Sequence, residues 1–389
     1  FFKQKTAYEI PKRDWSSDVC SSDLFHDWVA NQFGERLFRI FFKTYTEKVW
    51  GMSCDDISSD WAAQRIKGLN LFVAVTTALR KSLGVRTSGG PVVKTLIETF
   101  RYPRRGPGMM WETAARRIVE RGGTVALDRQ AQAFAWDEAG RFWRVTARES
   151  RSGADRTYLA RHVISSAPLR DVAQRLSPAL SCQEAASGLK YRDFLTVAVF
   201  LNAPPGFDDN WIYIHEPGVK VGRIQNYSSW SPEMVPDARK GCLGLEYFCF
   251  EGDGLWQQTD EELVALAVHE LETLGLATRT QIEGGHVVRQ RKAYPVYDAH
   301  YRSAVDAIRR ECAERFPTLH FVGRNGMHKY NNQDHAMMTA MLTVRNILAG
   351  SRTYDVWGVN EDAQYIEELT AEERQVLADE RFVPQSVKP

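Results

Sequence analysis

Apolar residues recur at helical spacing from the first informative stretch of the chain: Phe25, Trp28, Val29, Phe33, Leu37, Phe38, Phe41, Tyr45 and Val49. Gly34 interrupts that run and divides it into two short helices. A second helical pattern over residues 59–83 puts Trp61, Ile66, Leu69, Phe72 and Val75 on one side. Together they predict a helical lobe over 25–100. A glycine-proline loop at 102–108 then leads into a helix over 110–121 that Gly122 and Gly123 end. Short strands are expected at 124–127, 130–136, 142–147 and 157–164, the last three joined by the turns DEAG and ESRSGAD as an antiparallel meander. From 189 to 288 the pattern is alternating strands, at 194–201, 211–215, 222–227 and 242–250, followed by a helix over 260–274. Near the end an apolar run at 319–322 stops at Gly323. A polar loop follows, and then a helical pattern over 334–348 that is apolar on most faces: strand, loop, buried helix.

This order places the chain in a mixed α/β (α+β) class. An α/β part split between 101–188 and 289–352 is interrupted by an antiparallel sheet at 189–288, with the helical lobe at 25–100 before it and an acidic tail at 353–389 after it. The 50 Lys plus Arg against 49 Asp plus Glu give a net charge of +1, so no global field draws nucleic acid or an anionic membrane. No apolar run reaches the roughly 18 residues of a membrane span. The six cysteines show no metal-ligand spacing and read as reduced thiols of a cytoplasmic protein.

The chemistry concentrates in the strand-loop-helix unit. Asn332 or Asp334 can cap the helix by accepting from its first-turn N–H groups. The positive dipole end then faces the carboxyl end of the strand, where ligands of open α/β sheets bind. An electron-rich ring or a phosphate suits that place. Arg324 is the best electrostatic candidate, able to stabilise negative charge there. His328 and His335 could move a proton or only donate a hydrogen bond. Upstream, Ser165, Ser166 and Ala167 end a buried strand in small residues before Pro168, which lets a ligand approach the backbone closely or simply makes a tight turn.

Gly323-Arg324, followed by Lys329-Tyr330 and an amide at Asn332, resembles the closing motif of the FAD-dependent amine oxidase and protoporphyrinogen oxidase-like superfamily, most of all its UDP-galactopyranose mutase branch. FFKTYTEKVWG, the YPxxGxG loop at 102–108 and AYPxY at 293–297 are similar to further elements of that superfamily. The resemblance implies FAD as cofactor and an incomplete Rossmann-like FAD-binding domain over 101–188 and 289–352, interleaved with a substrate domain at 189–288 and capped by the helical lobe at 25–100. It puts Gly323, Arg324, Asn332, Gln333 and Asp334 at the pyrimidine end of the flavin, Ala131 beside the adenine, and Ser166 and Pro168 along the cofactor. It also implies that Tyr330 contacts substrate and that Tyr294 and Tyr297 border the active site. Asn332 and Gln333 depart from the Asp and Met usual in the mutase branch. The expected activity is oxidation of a small-molecule substrate through flavin N5; mutase-like action on a nucleotide sugar and a catalytically inactive truncated chain are the alternatives. Such a protein is expected to open with a strand, a GxGxxG turn and a helix. No GxGxxG occurs in the 389 residues, and the Gly89-Gly90, Gly122-Gly123 and Gly284-Gly285 pairs lack its spacing. Residues 1–24 resemble an in-frame translation of a sequencing adapter, KQKTAYEI and RDWSSDVCSSDL, and are read as not native.

Overall fold

The computed structural model describes residues 24–59 and 101–360. The helical pattern expected over 59–83 lies almost wholly outside them. The first expected helical run forms as α1 (Phe25–Phe33), broken at Gly34, whose φ is +87°, and continues through a π-helical stretch at Phe38–Lys43 into α2 (Thr44–Trp50). Gly51 ends α2 with φ +64°, and a Cβ there would lie 2.6 Å from the Arg192 guanidinium, so both the turn and the contact require glycine. Arg192 is buried and donates to the carbonyls of Val49 at 3.0 Å and Lys48 at 3.3 Å, a cation placed where the last turn of a helix leaves its carbonyls unpaired.

The helix after the glycine-proline loop is α3 (Gly108–Glu120). Residues 124–127, expected as a strand, form none and pair with no strand among the described residues, and Leu127 is 79% exposed. Their apolar run has the strand pattern, but a strand forms only against a partner. The expected meander does form: β1 (Arg129–Asp137), β2 (Phe142–Glu149) and β3 (Asp155–Ala160) pair antiparallel, and β5 (Leu176–Ser177) joins β1 in parallel. Beside it, β4 (Val163–Ser165) pairs in parallel with β11 (Leu319–Phe321), in the register Phe321 opposite Ser165. Parallel neighbours need a long crossover, and everything from 166 to 318 supplies it.

That crossover contains a five-stranded antiparallel sheet in the order β10-β6-β9-β8-β7, from β6 (Tyr191–Leu201), β7 (Trp211–Tyr213), β8 (Arg223–Asn226), β9 (Gly241–Cys249) and β10 (Ile282–Pro295). Leu195, Val197, Val199 and Leu201 alternate inward along β6 and meet Leu243, Leu245 and Tyr247 of β9. The helix α4 (Asp260–Thr273) covers this face with Leu263, Ala267 and Leu271. Its start is fixed by a capping box, Thr259 accepting from the Glu262 N–H and Glu262 accepting from the Thr259 N–H. The helix α5 (Tyr301–Arg315) packs under the meander and β11, and α6 (Gln333–Ala349) follows the closing loop. The helical lobe shares its own core, Phe25, Val29, Phe38, Trp50 and Ile57, with Phe248, Tyr297 and Tyr330. One apolar cluster thus ties the lobe to both the antiparallel sheet and the closing loop. Among the described residues no helix is long and apolar enough to cross a membrane, and no metal-ligand cluster occurs.

Candidate functional site

The strand-loop-helix unit is held open by small groups at its crossing with β4. The Val322 N–H donates to Ser165 O at 3.0 Å, and the Gly323 N–H donates to Thr339 Oγ1 of α6 at 2.9 Å. A Cβ on Gly326 would lie 2.4 Å from Ser165 O, so this backbone approach admits only glycine. Ser166 is exposed at the same crossing and Pro168 is half-buried. Ala131 stands apart from them, at a bulge in β1 on the meander.

Arg324 sits partly buried at the centre. Its Nε donates to Asn331 O at 2.8 Å and its Nη1 to Ala293 O at 3.2 Å. Its guanidinium lies 5.0 Å from the Tyr294 ring and 4.9 Å from the Tyr330 ring, whose planes are 13° apart with centroids at 5.6 Å. No carboxylate among the described residues pairs with it. Tyr294 also reaches a second cation, since Arg223 Nη2 donates to its hydroxyl at 3.0 Å. Arg223 itself is ion-paired with Glu246 and lies over the rings of Trp211 and Phe248. Tyr297 accepts from the Tyr330 N–H at 2.7 Å, which fixes the loop against the lobe core.

A bulge in β10 supplies the socket for this arrangement. The pairing of β10 with β6 shifts between Gln290 and Tyr294, and Lys292 takes φ +53°. The buried carboxylate of Asp193 accepts from the Lys292 N–H at 2.7 Å and from the Glu251 N–H at 2.5 Å. The bulged carbonyls then accept from the closing loop: Lys292 O from Asn325 Nδ2 at 2.7 Å, and Ala293 O from Arg324. Bulges of this kind re-aim a strand next to a site. Sequence reading overlooks Asp193, Arg192, Arg223 and Glu246. Their one signal is a charged residue inside an otherwise apolar alternation, and such a residue must be paired once buried.

The two histidines differ in place. His328 is 1% exposed with φ +47°; its Nε2–H donates to Val296 O at 3.2 Å and its Nδ1 has no hydrogen-bond partner among the described residues. Burial pushes its imidazole down to about 4, so it is neutral at neutral pH. His335 is in the first turn of α6 and forms a reciprocal cap with Asn332, its Nδ1 accepting from the Asn332 N–H at 3.3 Å. That bond leaves the Asp334 carboxylate, 3.4 Å from His335 Nδ1, without a proton to accept there. Both Asp334 oxygens are buried without a hydrogen bond among the described residues, while Gln333 beside it is exposed. The site therefore presents a guanidinium with no paired carboxylate among the described residues beside two stacked tyrosines, and, at the start of α6, a carboxylate with no donor among them.

No sequence-family model and no curated protein matches the chain. Solved structures do. A reduced UDP-galactopyranose mutase aligns over 92% of this chain and 71% of its own, with a TM-score of 0.70 at 19% identity. A protoporphyrinogen oxidase-like protein from Exiguobacterium aligns over 82% and 67%, with a TM-score of 0.58 at 15% identity. An engineered putrescine oxidase aligns over 84% and 68%, with a TM-score of 0.52 at 15% identity. Shared architecture at these identities is a statement about fold. The chain has the fold that UDP-galactopyranose mutase shares with the protoporphyrinogen oxidase-like protein and putrescine oxidase.

Proposed function

We propose that the chain is a flavin-dependent enzyme of the oxidoreductase type, which takes FAD and a small organic substrate and closes residues 319–335 over the pyrimidine end of the flavin. Arg324 carries this reading: a partly buried guanidinium spent on two carbonyls and two tyrosine faces, with no carboxylate beside it among the described residues. Such a cation favours an electron-rich ring or a phosphate. The remaining groups fit a flavin. Glycine at 326 brings the loop against β4, Asp334 offers a buried acceptor pair to a donor of the cofactor, and Gln333 and Asn332 stand at the positive end of α6. Ser166, Pro168 and Ala131 would follow the cofactor away from the ring.

When bound, flavin supplies redox or covalent chemistry at N5, which the protein need only orient and tune. Arg324 holds negative charge at the closed end. Tyr294 and Tyr330 form one wall of the substrate space, and Tyr297 keeps Tyr330 in place through its main chain. Trp50 and Phe248, packed in the lobe core behind Tyr330, keep water from that side. His328, neutral and hydrogen-bonded through Nε2, is suited to holding the 293–297 segment against the loop.

A second reading, mutase-like action on a nucleotide sugar, draws support from Tyr294 touching both guanidiniums, an arrangement suited to a diphosphate. The likeness to UDP-galactopyranose mutase adds to it, and Asn332 and Gln333 weigh against it. Titration of the intact chain with FAD, followed by flavin absorbance and fluorescence, tests both. Saturable perturbation that Arg324→Met weakens by roughly tenfold or more is expected. A flavin spectrum left unchanged at saturation would sink both readings. With binding in hand, turnover of a nucleotide sugar only after prereduction selects the mutase, and oxidant-coupled consumption of substrate selects the oxidoreductase.

A further inference from the structure

A second concavity lies away from the flavin-facing end, between α5, β11 and the last two turns of α6. It encloses about 500 Å³, within the range of small-molecule sites. Thr343 and Asn346 of α6 border it, roughly 15 Å along the helix from Gln333 at 1.5 Å per residue. None of the functional residues described above lines it.

Its chemistry is cationic, aromatic and rich in hydrogen-bonding nitrogen. Arg309 and Arg352 both reach it, and they share one carboxylate, Asp355 Oδ1, at 3.9 and 3.5 Å. Among the described residues that line the cavity none is acidic, so the pair carries a surplus positive charge. Trp357 and Phe316 give it flat apolar walls, with the Arg309 guanidinium 4.9 Å from the Trp357 ring.

His162 and His320 complete it from the two parallel strands. Their rings lie 5.4 Å apart at 21°, and His162 Nδ1 is 3.2 Å from His320 Nε2. Burial, with His162 beside it, pushes His320 down to about 4, so its ring is neutral at neutral pH. The two ring nitrogens not engaged between the histidines, His162 Nε2 and His320 Nδ1, are left over for a ligand. The contact between an exposed and a half-buried imidazole is not needed to set the register of the two strands, which the β4–β11 ladder already fixes.

We infer that this cavity is a second ligand site, for a small aromatic anion: a ring between Trp357, Phe316 and the imidazoles, and a carboxylate or phosphate on Arg309 and Arg352. A cationic ligand would meet two guanidiniums whose one shared carboxylate, Asp355, does not line the cavity. A bare inorganic anion would leave the aromatic walls without a partner.

Titration of the intact chain, without added flavin, uses benzoate as probe, benzamidine as the ring of opposite charge, and inorganic phosphate as the anion without a ring. Thermal unfolding and saturation-transfer NMR read the binding, so the outcome is independent of whether the flavin reading holds. Benzoate is expected to bind saturably and to raise Tm, and benzamidine is not. Arg352→Glu, at a side chain 60% exposed, should weaken benzoate roughly tenfold or more and leave the unliganded Tm in place. His320→Phe should fill the cavity and abolish binding. Equal binding of benzamidine, binding of phosphate alone, benzoate affinity indifferent to Arg352→Glu, or no saturable binding of benzoate would each overturn the inference.

Discussion

The five-stranded antiparallel sheet and the β4–β11 pair are both built from apolar runs, yet they end differently. In the first, Leu195, Val197, Val199, Leu243, Leu245 and Ile224 are all fully buried under α4. Around the second, large apolar side chains stay open. Ile164 on β4 and the stripe Met337, Met341, Val344 and Leu348 on α6 are exposed. Apart from both sheets, α3 has no buried residue, and its Trp111, Ile118 and Val119 are exposed too. Antiparallel strands can finish their core with one covering helix, whereas a parallel pair needs cover on both faces and further strands at its edge. Hydrophobic pattern therefore states a demand for burial, and only a facing surface meets it.

The largest effect expected from this contrast is in the finished sheet. Leu243→Ala removes a fully buried side chain from between β9 and α4 and should cost about 2–5 kcal/mol in urea unfolding. A cost near zero would mean that this core is as loose as the open region.

Next comes the acid response of the closing loop. His328 is a base whose folded pKa is depressed, from 6.5 to about 4, so the unfolded chain takes up the proton first as pH falls. Its contribution to stability is whole above pH 6.5 and is lost as pH falls from 6.5 to about 4, by roughly 3 kcal/mol in all. Asn tolerates a left-handed backbone and does not titrate, so His328→Asn should flatten the stability profile over that window. The comparison is between urea midpoints at neutral and acid pH, and an unaltered slope would show that His328 is already charged or open to water.

The smallest effect is expected on α3. Ile118→Gln exchanges an exposed apolar side chain for a polar one and should change unfolding free energy by less than about 0.5 kcal/mol. A loss beyond about 1 kcal/mol would mean that this face is covered in the folded protein, as the finished sheet is and the open stripes are not.

Much of the candidate site was legible before the fold. Gly323, Arg324 and the cap at Asn332 are local features: a strand must stop, a helix must start, and its first N–H groups must be satisfied. Tyr294, Tyr297 and Tyr330 follow from the same motifs, and the structure brings all three together with Arg324. What was not legible is non-local. Asp193 and Lys292 are far apart in the chain, and the bulge they make exists only once β6 and β10 pair. Arg192 closes the carbonyl end of α2, and Arg223 meets Glu246, by the same kind of distant encounter.

The sequence by itself determined which residues are apolar enough to need burial, the helical or alternating period of many segments, and where a positively charged helix start follows a strand, because these depend on spacing and on groups a few residues apart. The tertiary structure alone decided which of those apolar faces found cover, which buried charges found partners, that 282–295 is a strand and 301–315 a helix, that the strand expected over 157–164 divides between two sheets, and that residues 124–127 pair with no strand among the described residues. Burial and pairing are properties of two surfaces at once, and no single stretch of chain contains both.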